Sequence, residues 1–345
     1  MGKRVTSFDV AKEAGVSRTT VSLVLNNVAN ISINDATRKR VFEAAEKLNY
    51  HPNATGRKLV SGKSSTIGLV LRQSTDQVFA DAFLMRVMVG IEQAVALHGF
   101  HVLLKPLDPS HPDSYSQLIN ENYVDGIILS GPRQDDKDIL HYRSDGFPVM
   151  MMGQLADSGI PFVDVNAVDG AASATRHLID LGHRRIAMIT NASLEYTSAQ
   201  QRRQGFIQAL EEANLFPDER LIQQGAFTPA SGYQAMTTLL KASELPTAVF
   251  IASDVVAAGA IRAIKKAGLR IPQDIALVGF DDIPMAAYFD PPLTTIRLPA
   301  YELGWHAGER LVRLILGESL DELGIFLDTE LITRESTLGD LTSVS

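Results

Sequence analysis

Residues 16–26 read Val-Ser-Arg-Thr-Thr-Val-Ser-Leu-Val-Leu-Asn. If this stretch is helical, Val21 and Val24 face a core and Arg18, Thr19, Thr20 and Ser22 face outward. One guanidinium and three hydroxyls on a short helix suit hydrogen bonds to phosphate oxygens and base edges. A second set lies far downstream. Asp281 and Asp282 follow the apolar run 275–280, and Arg202 opens a helical stretch after the apolar run 186–190. A carboxylate accepts two hydrogen bonds from vicinal hydroxyls, and a guanidinium forks onto hydroxyls or a carboxylate. Adjacent residues on an extended chain point to opposite sides, so the two aspartates are not expected to share an acid–base centre. Without cysteine, and with eight histidines lacking H-x-x-x-H spacing, thiol chemistry, disulfides and common zinc sites are not expected. Residues 164–170 imitate a calcium loop, but the spacing is off by one and Thr175 stands where the closing glutamate belongs; a turn and helix cap fit better. No catalytic constellation emerges, so neither an enzyme nor a cofactor or metal is expected.

The elements around 16–26 are short helices. Residues 8–13 have the pattern of a first helix, with Thr6 or Ser7 as N-cap. Gly15 supplies the turn and Ser17 a second cap. Asn34 caps a third helix to about Leu48, with Val41, Ala44 and Ala45 on its apolar face and Arg38, Lys39 and Arg40 on a basic one. A helix pair of this kind also suits an ordinary protein core. Charge favours the nucleic-acid reading. The chain carries a net −8, yet residues 1–63 hold 11 Lys and Arg against 5 Asp and Glu, a net +6, which leaves −14 for the remainder. A basic end on an acidic body suits phosphate contact by that end alone. The composition, 45% hydrophobic and 21% charged, is globular. The absence of an apolar run of membrane length, of a signal-peptide pattern and of cysteine suits the cytoplasm.

After a linker near 60–65 the body alternates apolar strands, at 66–71, 101–105, 125–129, 148–152, 185–190, 248–252 and 275–280, with helical stretches. Near-continuous apolar strands separated by helices imply parallel sheets covered on both faces. The fold class expected is α/β: an all-α helix-turn-helix headpiece followed by two parallel-sheet lobes. The division is 1–49 headpiece, 50–65 hinge helix and linker, and 66–345 body. The first lobe would take 66–164 and 294–325, the second 165–293 and 326–345.

Several phrases resemble the LacI/GalR family of bacterial transcriptional regulators. They are Thr-x-x-Asp-Val-Ala-x-x-Ala-Gly-Val-Ser at 6–17, Thr-Val-Ser-x-Val-Leu-Asn at 20–26 and Tyr-x-Pro-Asn at 50–53, followed by Leu59. The body resembles the same family's effector domain, of periplasmic-binding-protein type, through the phrases at 174–187, 202–206, 246–250, 278–284 and 291–296. The resemblance implies a regulator of repressor type that binds a near-palindromic double-stranded DNA operator as a homodimer and is controlled by a small ligand between the lobes, a sugar or glycoside before a purine. The family's tetramerising leucine repeat is not visible in 331–345.

DNA contact is then expected at Thr6, Ser17, Arg18, Thr19, Thr20, Ser22, Asn26, Asn34, Tyr50, Asn53, Gly56 and Leu59, the last as a minor-groove wedge. Gly56 replaces the common hinge alanine, at a helix cost of roughly 1 kcal/mol. Leu23 stands where most relatives carry arginine. Ligand contact is expected at Phe79, Asp81, Phe83, Ser130, Gln154, Arg202, Phe227, Ser253 and Asp281. Phe227 would stack on a sugar or belong to the core; Asp254 would contact ligand or cap the next helix. The loop 72–81 reads as longer than is usual. The rival readings are a sugar-binding transport protein, which needs an export signal and no basic headpiece, and a sugar-modifying α/β enzyme.

Overall fold

The computed structural model describes residues 5–25, 33–50, 63–107 and 116–338. The chain divides into two compact units, 1–65 and 66–345.

In the first unit, α1 (Ser7–Ala14), α2 (Arg18–Leu25) and α3 (Asp35–Lys47) surround one small core. Val10, Val21, Val24 and Val41 are 0–1% exposed, with Ala11, Ala14, Ala44 and Ala45 between them. Small side chains permit the close approach that three short helices need. Each helix start is fixed locally. The Thr6 backbone N–H and hydroxyl both donate to Asp9 Oδ2, at 2.8 and 2.6 Å. Thr20 N–H donates to Ser17 Oγ at 3.0 Å, and Thr37 N–H to Asn34 Oδ1 at 2.7 Å. Gly15 ends α1 at φ 65°, a left-handed conformation that glycine adopts without steric cost.

The second unit contains two six-stranded sheets. The first-lobe strands are β1 (Thr66–Leu71), β2 (His101–Pro106), β3 (Gly126–Ser130), β4 (Val149–Met152), β5 (Phe162–Val165) and β11 (Gly324–Leu327), ordered 11-5-4-3-1-2 and all parallel. The second-lobe strands are β6 (Ile186–Ile189), β7 (Ile222–Gln223), β8 (Ala248–Ile251), β9 (Ala276–Asp281), β10 (Thr294–Arg297) and β12 (Glu330–Ile332), ordered 12-10-9-8-6-7. Only the β10–β12 pairing of that sheet is antiparallel. Both lobes thus repeat one doubly wound order. Apolar clusters cover both faces of each sheet, and β3, β8 and β9 are buried almost throughout.

Two expectations change. The run 294–297 does not return to the first lobe: β10 lies parallel to β9, with Thr295 opposite Gly279. Thr294 and Thr295 are fully buried there, and the Thr295 hydroxyl donates to Asp254 Oδ1 at 2.7 Å, which holds the strand in the second sheet. The chain returns one element later, through α12 (Ala300–Ile315), and β11 keeps it in the first lobe to 327. Residues 72–81 are also not simply a loop. Ser74 and Gln77 form a reciprocal capping box that starts α4 (Thr75–Ala80), and Asp81 then caps α5 (Ala82–Ala96).

The α12 return is seated by two glycines. A Cβ on Gly90 of α5 would sit 2.1 Å from the Tyr301 carbonyl oxygen, and one on Gly304 of α12 would sit 2.0 Å from that of Val87. Gly304→Ala should therefore force these helices apart and destabilise the chain by roughly 1–3 kcal/mol. The measurement is the urea midpoint; an unchanged midpoint would mean that the helices tolerate the methyl group.

Candidate functional site

Arg18 and Thr19 lie exposed on the first turn of α2, while Thr20 and Ser22 are half-buried. Ser17 shares a 2.9 Å hydroxyl contact with Thr20 and caps the helix, so part of the polarity of this face holds the helix itself. Thr6 and Asn34 are likewise engaged as caps on exposed positions. Tyr50 packs against the headpiece core. Arg18 emerges as the principal outward cation of α2, with Lys39 and Arg40 exposed on α3. Asn26, Asn53, Gly56 and Leu59 lie outside the described residues.

In the second unit the carboxyl ends of the strands meet at one cavity between the lobes. Gln73 follows β1, Ser130 ends β3, Gly153 follows β4 and Asp164 sits near the end of β5. From the other sheet come Asn191 after β6, Phe227 after β7, Ser253 after β8 and Asp281 at the end of β9. Helix α9 (Thr197–Glu212) adds Ser198, Gln201 and Arg202; Asp81 and Phe83 come from the start of α5. The space enclosed is about 110 Å³, smaller than the roughly 300–1,000 Å³ usual for drug-sized ligands.

Of the nine expected ligand residues, the structure brings Asp81, Phe83, Ser130, Arg202, Phe227, Ser253 and Asp281 to this cavity. Phe79 is not among its lining residues: α4 turns its ring outward, 62% exposed, because Val78 takes the inward position on that helix. Gln154 also lies off the lining, with its side chain hydrogen-bonded to Asp164. Sequence reasoning missed Gln73, Asn191, Gln201 and Asp164. Three of these have a common signal, since Gln73, Asp164 and Asn191 sit at or just after strand ends; Asp164 was set aside with the calcium-like stretch.

The polar chemistry converges on Arg202 and Asp281. Arg202 Nη1 donates to the Ala252 carbonyl at 2.5 Å, Nη2 lies 3.4 Å from Asp281 Oδ1, and the guanidinium sits 4.1 Å over the Phe280 ring. Burial pushes the Asp281 carboxyl up to about 7; Asp81 adds to the rise, while Arg202 and Ser253 oppose it. Burial likewise lifts Asp164 to about 6, and it raises Asp81. Asp282 faces the other way, to Arg297 at 2.8 Å and Arg334 at 2.7 Å. The alternation is set by strained backbone, since Asp281 and Asp282 have φ of 115° and 52°, and Phe227 has 54°. Asp254 is a structural group: its carboxylate accepts from Thr295 Oγ1 and, at 3.0 Å, from Ile283 N–H.

Three cavity residues carry buried polar atoms without a partner, namely Gln73 Oε1, Asn191 Oδ1 and Arg202 Nε. Leaving a buried polar atom unpaired costs about 1–3 kcal/mol, and three such atoms face this one cavity. The lobes are joined beside it. Tyr196 donates its hydroxyl to the Arg72 carbonyl at 2.5 Å, and its ring meets Phe227 edge-on at 5.4 Å. Arg133 Nη2 pairs with Glu195 at 2.8 Å, Gln134 Nε2 donates to Gln200 at 2.7 Å, and Gln77 Nε2 donates to the Ala226 carbonyl at 3.0 Å.

Comparison with known proteins adds the following. Residues 8–53 match the bacterial regulatory proteins of the lacI family, and residues 175–337 match the periplasmic binding protein-like domain. The HTH-type transcriptional regulator CelR of Thermobifida fusca is 33% identical over 338 residues, covering 97% of this chain and 98% of that protein. The HTH-type transcriptional repressor PurR of Haemophilus influenzae (strain PittEE) is 35% identical over 335 residues, covering 95% and 97%. Among solved structures, a transcriptional regulator CelR–cellobiose complex superposes with a TM-score of 0.74 at 32% identity, covering 96% of this chain and 100% of that one. The lac repressor dimer bound to operator and the anti-inducer ONPF superposes with a TM-score of 0.83 at 30% identity, covering 97% and 100%.

The raised carboxyls make stability depend on pH. Unfolded, Asp281 and Asp164 release their protons near 3.8; folded, they hold them to about 7 and about 6. Between those limits the folded chain binds more protons, so its stability falls as pH rises from about 4 to about 7. Asp281→Asn should flatten this fall. Thermal midpoints across that range check it, and identical slopes in the two proteins would remove Asp281 as the cause.

Proposed function

The chain belongs to the lacI family of bacterial regulatory proteins and is a DNA-binding transcriptional regulator, and from this we propose that a sugar or glycoside held in the interlobe cavity sets its affinity for an operator. The observation that carries the ligand reading is the set of unpartnered buried atoms on Gln73, Asn191 and Arg202 around one cavity. Hydroxyl groups both donate and accept, and so satisfy all three. The half-buried ring of Phe227 offers a face for a sugar's C–H groups. The relative solved with cellobiose supports the same class of ligand.

The chain then works in parts. Residues 1–49 bind DNA, and 66–345 bind ligand and dimerise. Two headpieces of a homodimer read a near-palindromic site, since a two-fold protein reads a two-fold sequence. Arg18, Thr19 and Thr20 reach base edges, and Leu59 wedges into the minor groove. A ligand that touches both lobes favours one angle between them, and it shifts operator affinity only as far as its affinities for the two arrangements differ. The Tyr196, Arg133, Gln134 and Gln77 contacts are those a change of angle has to break or remake. Repression in the cytoplasm is the role this implies, with no catalytic step.

Arg18→Ala should cost about 1–3 kcal/mol on the selected operator and much less on random DNA. Gel-shift titrations on both DNAs measure this; an equal loss on each would demote Arg18 to a phosphate contact. Operator affinity should also fall steeply with salt, as release of several counterions requires. A flat salt response would contradict the headpiece assignment. A thermal-shift series with sugars and glycosides tests the ligand, and absence of stabilisation by any of them would remove the sugar reading.

A further inference from the structure

The cavity carries an asymmetry of charge that goes beyond its being polar. Asp81, Asp164 and Asp281 line it with carboxyl groups, and Arg202 alone supplies a cation. All four residues are 7–9% exposed. The guanidinium is already engaged by the Ala252 carbonyl, by Asp281 and by the Phe280 ring, which leaves Nε as its unpartnered donor. The other two unpartnered atoms of the cavity, Gln73 Oε1 and Asn191 Oδ1, are both acceptors. Acceptors and negative charge are therefore in excess over donors and positive charge. The groups are close enough to act on one another, since Arg202 holds down Asp81, Asp164 and Asp281, and Asp81 pushes Asp281 up. The carboxyls do not form a metal-ligand set: among the described residues no three His, Cys, Asp or Glu side chains converge on a common point.

We propose that this cavity selects a hydroxyl- or amine-bearing ligand free of negative charge, and that it excludes the phosphorylated and carboxylated forms of the same sugar. The inference rests on the reading of the cavity as a sugar site and adds a rule for which sugars enter. A donor-rich ligand supplies hydrogen to Gln73, Asn191 and the carboxyl oxygens. A phosphate or carboxylate supplies only more acceptors, and it places an anion beside carboxyls whose own ionisation burial already disfavours, in a site where water screens little. Discrimination of this kind works by leaving the wrong ligand unpaired and repelled, without any better contact to the right one. Asp164 carries much of the effect, because Gln201 Nε2, at 3.2 Å, the Gln154 side chain and the Val165 N–H are its partners and none brings a full positive charge.

The test is calorimetric titration of the full chain at neutral pH with matched pairs. Glucose stands against glucose 6-phosphate and glucuronate, glucosamine against glucosamine 6-phosphate, and cellobiose against cellobiose 6-phosphate. At least one uncharged or amino sugar should bind, and its anionic counterpart should bind about tenfold more weakly or worse. Asp164→Asn and Asp81→Asn, which preserve shape and capping oxygens, should narrow that ratio. The wild-type pairs decide the matter should either variant fail to fold. An anionic sugar that binds as tightly as its uncharged parent overturns the exclusion and leaves the sugar reading standing. A panel in which nothing binds overturns the sugar reading and the exclusion with it.

Discussion

Parallel strands all end on the same side of their sheet, and the interlobe cavity depends on that constraint. With two such sheets facing one another, the residue at or just after each strand becomes a wall of the same cavity. Gln73, Ser130, Gly153, Asp164, Asn191, Ser253 and Asp281 are far apart in sequence and adjacent in space for this reason alone. Helices covering the outer faces keep the strands dry, so the strands themselves are free to be wholly apolar. Polarity is thereby concentrated where the strands stop.

That concentration has a cost, and the structure shows where it is met. Asp281 leaves β9 in a left-handed conformation that few aspartates adopt, and Phe227 does the same across the cavity. The carboxyls of Asp81, Asp164 and Asp281 are held at raised proton affinity by burial. Side-chain atoms of Gln73 and Asn191 go without partners. Around this strained centre, neighbouring carboxylates are held by several hydrogen bonds. Asp254 ties β10 to the turn after β9, and Asp282 binds Arg297 and Arg334 on the far side.

The headpiece follows a different economy. Its core is eight small or branched residues, too few to be generous, and every described helix start is capped by a side chain. Capping takes up Thr6, Ser17 and Asn34, which the sequence also offers for DNA. The outward groups that remain on α2 are dominated by Arg18 and Thr19. With Leu23 half-buried beside them, a single arginine must supply most of the cationic contact from that helix.

The sequence by itself determined the local features. Helix starts at Thr6, Ser17 and Asn34, the turn at Gly15, the apolar strands and the split of charge between the two ends are all set by neighbours in the chain, and they were legible there. Seven of nine expected ligand residues reach the cavity because they stand at strand or helix ends, a position that a strand reading already locates. Only the tertiary structure decided the rest. That 294–297 belongs to the second sheet depends on a hydrogen bond from Thr295 to Asp254, 41 residues away. That α4 turns Phe79 outward depends on Val78 finding the core. That Asp164 and Asn191 line the same cavity as Asp281 depends on two sheets meeting end to end. Each outcome is a competition for partners at long range, and periodicity and capping carry information only about the residues within a turn or a strand of one another.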